Sequence, residues 1–174
     1  RRAYPLVVTQ GDGNLGVKGK NFEMLFSIAG AGPASLKVNG TEWLWRAPRP
    51  AFWRASTDND RGCGFPLRAA AWMAADVFVT YNGMKVLEAG PDCVKVQFQF
   101  GIPTVPGASA ELVYTVEAQG ALRVDAVYHS VAGAPELPCF GVKFETFGPV
   151  TRTVWTGLSG ETYPDRYKGG VFGC

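Results

Sequence analysis

At 174 residues, 47% hydrophobic and 13% aromatic, the chain has the size and composition of one folded domain, 1–174, with a sizeable core. A formal net charge of only +2 without a basic run excludes a nucleic-acid footprint, and no apolar stretch approaches the ~20 residues of a membrane span. With 22 glycines and 12 prolines the composition favours turns over long helices.

In chain order, the start at Arg1-Arg2 lacks both a methionine and an export signal, so the chain reads as a fragment of a longer polypeptide. Leu6 to Gln10 has strand character. Gly11-Asp12-Gly13-Asn14-Leu15-Gly16 satisfies the dinucleotide-binding spelling, but Val17-Lys18-Gly19-Lys20-Asn21 cannot open the helix such a site needs, so these glycines are read as turns. Phe22, Met24, Phe26 and Ile28 alternate with Glu23, Leu25 and Ser27, the period of a strand with one face on a core. Asn39-Gly40, between two strand-like runs, predicts a two-residue hairpin.

The stretch Phe52-Trp53-Arg54-Ala55-Ser56-Thr57-Asp58-Asn59-Asp60-Arg61-Gly62 needs a special account. Two rings that favour burial lead directly into charged and amide side chains, which need partners wherever they are shielded from water. A polar network half under the surface, with Arg54 and Arg61 as cations for Asp58 and Asp60, resolves the conflict. The plainer reading is a strand followed by an Asx-rich turn. A calcium loop fits poorly, because Gly62 stands at the third ligand position. The run resembles the F-x-R-A-P-x-D-N-D-x-G signature of the small-chain domain of large bacterial β-galactosidases of glycoside hydrolase family 2. Ser56 stands where that family has proline.

Beyond it, Pro66 to Asp76 predicts one short helix, with Leu67, Ala71 and Ala74 or Ala75 on a shared face and Trp72 at its margin. Val77 to Tyr81 and Met84 to Leu87 flank Asn82-Gly83, a second hairpin signal. Strict alternation follows in Val94 to Phe100, Ala110 to Ala118 and Leu122 to Tyr128, with Gln119-Gly120 as a turn. Phe140, Val142 and Phe144 mark a further strand and Thr151 to Trp155 another. Spacing of about ten residues with turns between predicts an all-β, antiparallel β-sandwich. His129, the only histidine, falls on the polar face of its strand.

Trp155-Thr156-Gly157-Leu158-Ser159-Gly160-Glu161-Thr162-Tyr163-Pro164-Asp165-Arg166 is similar to the family's W-x-G-x-G-P-x-E-x-Y-x-D-R, with Glu161, Tyr163, Asp165 and Arg166 in relative register. The resemblance implies a mutarotase-like supersandwich fold. It implies that catalysis rests on two glutamates of a preceding (β/α)8 barrel without counterparts here, so that no catalytic residue is expected in this chain. The expected role is a non-catalytic accessory domain of an enzyme that hydrolyses terminal β-D-galactosides. It would buttress the barrel and border the substrate entrance. Arg54, Asp58, Asn59, Asp60, Arg61, Glu161, Tyr163, Asp165 and Arg166 are the candidates for contact with carbohydrate or with neighbouring domains.

Two carboxylate pairs, Asp58 with Asp60 and Glu161 with Asp165, have the composition of a glycosidase site, but arginine beside a carboxyl group holds it ionised and unfit as a general acid. The expected partners are the barrel and other domains of the parent, and carbohydrate, with self-association into a homo-oligomer as an open alternative. A carbohydrate-binding module acting alone and, further off, an aldose mutarotase are the competing readings. Cys63, Cys93, Cys139 and Cys174 lack C-x-x-C spacing and read as free thiols of a cytoplasmic protein. No metal site and no cofactor are expected.

Overall fold

A computed structural model of the chain describes residues 4–148, 150–159 and 171–173. Five strands, β1 (Val7–Gln10), β2 (Asn14–Lys18), β3 (Phe22–Ser27), β4 (Gly32–Val38) and β5 (Thr41–Glu42), form one antiparallel sheet in sequence order. Next come β6 (Leu44–Ala51) and a helical segment of α1 (Asp58–Gly62), α2 (Phe65–Arg68), a 3-10 turn (Ala70–Trp72) and α3 (Ala75–Phe78). A second antiparallel sheet takes β7 (Thr80–Ala89), β8 (Cys93–Gly101), β9 (Ser109–Glu117) and β10 (Leu122–His129) in the order β10-β9-β8-β7. Then β11 (Gly141–Thr146) returns to pair with β6, and β12 (Gly157–Ser159) pairs with β13 (Val171–Gly173). Among the described residues no helix is long and apolar enough to cross a membrane.

The two sheets face each other, as the alternation requires. Leu15, Val17, Met24 and Phe26 point from β2 and β3 into the side chains of Val94, Val96, Phe98, Leu112, Tyr114 and Val116 from β8 and β9. Phe26 lies at the centre, its ring 6.2 Å from that of Phe98 and 5.8 Å from that of Tyr114. Burying each such side chain contributes roughly 1.5–3 kcal/mol. The fold is the expected all-β sandwich. A second cluster joins Phe52, Phe65, Ala69, Trp72 and Ala75 to Ile102, Val105 and Ala108 beside the sandwich.

Four local expectations are corrected. The helix expected from Pro66 to Asp76 breaks at Ala69 (φ −97°, ψ 11°) and Ala74 (φ −120°, ψ 11°). Its buried face is Phe65, Ala69, Trp72 and Ala75, while Leu67 is 84% exposed. The step from Phe65 to Ala69 is an α turn and the step from Ala69 to Trp72 a tighter 3-10 turn, and tertiary burial of Trp72 overrides the helix propensity of the alanines.

Asn82-Gly83 makes no hairpin. β7 runs straight through it with a bulge, and Gly83 (φ 149°) faces Gln99. Asn39-Gly40 does turn, with φ of 50° and 80°. Thr151 to Trp155 forms no strand; the last ribbon starts at Gly157. Arg46 to Pro50 lies within strand β6. Its prolines are tolerated because, among the described residues, its one ladder partner is β11, along an irregular register. Gly11 and Gly13 lie in the turn before β2, as expected, but Gly16 does not: it is inside β2, opposite Thr9 and Leu25.

Candidate functional site

The conspicuous run is anchored at its aromatic end. Phe52 is fully buried, with ring centroids 5.5 Å from Trp72 and 5.8 Å from Phe140. Trp72 itself donates from Nε1 to the Pro135 carbonyl at 3.1 Å. These contacts fix where the chain leaves β6 and therefore where Arg54 starts.

From that anchor Arg54 reaches several partners, the Ala55 carbonyl among them at 3.2 Å from Nη1. Its Nη1 and Nη2 donate to Asp60 Oδ2 and Oδ1 at 2.5 and 3.1 Å, a two-pronged charge-assisted pair. Its Nε donates to the Pro138 carbonyl at 3.3 Å, tying the run to the segment before β11. The guanidinium also sits 6.0 Å from the centre of the Phe65 ring.

Thr57 explains why a helical turn begins here. Its backbone is extended (φ −78°, ψ 170°), its Oγ1 accepts the Asp60 N–H at 3.2 Å, and Asp60 Oδ2 accepts the Thr57 N–H at 2.8 Å. This is a reciprocal capping box with aspartate in the third position, where glutamate or glutamine is usual. The Asp60 side chain is only 15% exposed. Hydrogen bonds from Arg54 first, then from the Thr57 amide, hold its carboxyl well below the usual carboxylate range.

Asp58 lies differently. It pairs with Arg61, whose Nη1 also donates to the Ser56 carbonyl at 3.1 Å, but the Asp58 side chain is 94% exposed. Asn59 is exposed as well, and its carbonyl accepts the Cys63 amide at 3.0 Å. The structure thus brings Arg54 to Asp60 and Arg61 to Asp58. It does not bring Asp58 and Asp60 together as a carboxylate pair, since the helical turn sends one outward and the other inward. Among the described residues no cluster of three His, Cys, Asp or Glu side chains could hold a metal ion. Glu161, Tyr163, Asp165 and Arg166 lie outside the described residues.

Sequence reasoning passed over Thr57, although Thr-x-x-Asp was a readable capping signal. It also missed the links to Pro135 and Pro138, for which no local signal exists. Elsewhere, His129 sits on the outer polar face of its strand as expected, its Nε2 3.3 Å from Glu111 Oε1, and Gln97 donates to the other Glu111 oxygen at 2.7 Å. Cys63, Cys93 and Cys139 are free thiols, and Cys174 lies outside the described residues. Trp45 and Phe147, both more than half exposed, meet edge to face at 4.9 Å.

Against known families, the description "Beta galactosidase small chain" matches residues 18–174. The chain is 43% identical to the β-galactosidase small subunit of Latilactobacillus sakei, covering 97% of this chain and 59% of that protein. It is 35% identical to a β-galactosidase of Clostridium acetobutylicum over 95% of this chain and 18% of the relative. With a β-galactosidase of Streptococcus thermophilus the figures are 34%, 97% and 16%. The chain therefore spans a little over half of the small-subunit relative and under a fifth of the two longer ones.

Proposed function

The chain belongs to the β-galactosidase small-chain family, and from that premise we propose that it is a non-catalytic accessory domain of a β-galactosidase. The observation that carries this reading is the pairing of the conspicuous carboxylates. A retaining glycosidase needs two carboxyl groups ~5 Å apart, one of them protonated. Asp60 is instead held ionised by Arg54, and Asp58 is turned to solvent against Arg61.

On this reading the parent enzyme hydrolyses terminal β-D-galactosides such as lactose, and its two active-site carboxylates come from a barrel outside this chain. The Arg54–Asp60 turn serves as a rigid element at the border of the substrate entrance. The exposed apolar side chains Leu67, Met73, Val77 and Phe78 of the helical segment buttress neighbouring domains. The free thiols fit the cytoplasm.

The test is complementation in trans. A β-galactosidase polypeptide truncated before its small-chain domain is mixed with this chain, and turnover of a chromogenic β-galactoside is followed. Activity should rise on mixing and be absent from the chain alone. Turnover by the chain alone that disappears on changing Asp58 or Asp60 would overturn the reading.

One observation favours a second reading, a carbohydrate-binding module. The exposed Trp45–Phe147 pair, with Trp43 close by in sequence and half exposed, offers flat apolar faces of the kind sugar rings stack on. Calorimetry with galactose and lactose decides it: micromolar binding abolished by Trp45→Ala would replace the accessory role.

A further inference from the structure

β10 is an edge strand of the second sheet as described. Among the described residues no strand pairs with its outer side. The opposite edge, β7, carries two bulges, between Tyr81 and Gly83 and between Val86 and Glu88, which blunt it against further pairing. By contrast β10 keeps an unbroken register with β9 from Leu122 to His129.

The Glu117 amide donates to the Ala121 carbonyl at 2.9 Å, which sets the ladder's alternation. Arg123, Asp125 and Val127 therefore turn their backbone groups toward β9, and Leu122, Val124 and Ala126 turn theirs toward the open side. The core-facing side chains of these same three residues are only half-buried, whereas Val94, Val96, Leu112 and Tyr114 on the inner strands are fully buried. At the far end Tyr128 is covered by Phe52, Trp72 and Phe140, so the open stretch is Leu122 to Val127.

We propose that this stretch is an interface for a second copy of the chain, which adds its own β10 antiparallel about a two-fold axis through Val124. In that register Val124 faces the partner's Val124 and Leu122 faces the partner's Ala126, so the residues with outward backbone groups pair with one another. Each such pair exchanges two backbone hydrogen bonds and extends the apolar face across the axis. On the solvent face Arg123 falls opposite the partner's Asp125, and symmetry repeats the pair.

Within one chain, Arg123 already donates from Nε and Nη2 to Asp125 at 2.9 and 2.7 Å, both bonds ending on Oδ1. Oδ2 takes neither of these bonds, which leaves it to the partner's Arg123 in the proposed register. The two neighbouring in-phase registers set Arg123 against the partner's Arg123, or Asp125 against the partner's Asp125. Like charges directly opposite are unfavourable, so the charges select the Val124 axis.

Sedimentation velocity of the chain across the micromolar range tests the interface. The wild-type chain should pass from monomer to dimer. Asp125→Arg and Arg123→Asp should each weaken dimerisation at least about tenfold, and the double swap Arg123→Asp with Asp125→Arg should restore it to within about threefold. Val124→Pro removes an N–H that β9 does not use, so the fold persists by circular dichroism while the dimer is lost. A wild-type chain that stays monomeric overturns the proposal. So does a dimer indifferent to the charge swaps and to Val124→Pro, since association would then use another surface, such as that around Trp45 and Phe147.

Discussion

Asp60 accepts from the Arg54 guanidinium and the Thr57 amide, and its own amide donates to Thr57 Oγ1. All but the last of these bonds favour the ionised carboxyl, so its folded-state pKa lies below that of an unfolded aspartate, near about 3.9. A depressed carboxyl contributes stability that is fully present above the unfolded pKa and is lost as pH falls toward the folded one. Denaturation midpoints of the wild type should therefore fall below about pH 4 more steeply than those of Asp60→Asn, which cannot titrate there. Equal pH dependence in the two proteins would mean that Arg54 and Thr57 do not hold the carboxylate in solution.

The helical segment shows how a periodicity argument fails at the level of one element. Leu67 and Trp72 look like a buried leucine and a marginal tryptophan on a 3.6-residue wheel, yet the structure exposes the first and fully buries the second. Trp72 is placed by partners distant in sequence, Phe52 at 5.5 Å and Tyr128 at 5.7 Å. Trp72→Ala should cost about 3–5 kcal/mol and Leu67→Ala less than about 0.5 kcal/mol in chemical denaturation. The reverse ranking would restore the single regular helix. The same lesson applies to Asn-Gly: it turns the chain at Asn39 but makes a bulge at Asn82, because β8 presents a long regular strand against which β7 pairs on both sides of Gly83.

At the scale of the molecule, the sandwich core and the helical cluster are joined where β9 enters the sheet. Ala110 of β9 belongs to the helical cluster, its strand neighbours Leu112 and Tyr114 belong to the sandwich core, and Val79 packs against both. Damage at the centre of the sandwich should therefore be felt at the helical segment. Phe26→Ala removes the ring that bridges the sheets and should cost about 3–5 kcal/mol. Far-UV and near-UV circular dichroism, reporting strands and packed aromatics, should lose their signals in one coincident transition in both proteins. Separate transitions would make the two clusters independent units.

The sequence alone determined the sandwich, because period-two alternation from Val94 to Phe100 and from Ala110 to Ala118 leaves only one face that can be buried. It also pointed to Arg54 and Arg61 as the cations for Asp58 and Asp60, beside the plainer reading of an Asx-rich turn. Which arginine takes which aspartate was decided by the tertiary structure: the buried Phe52 aims Arg54 inward at Asp60 and leaves Asp58 outside. The broken helix and the pairing of proline-bearing β6 with β11 were decided there too. Both depend on contacts between residues more than sixty positions apart, and local propensity carries no information about such distant partners.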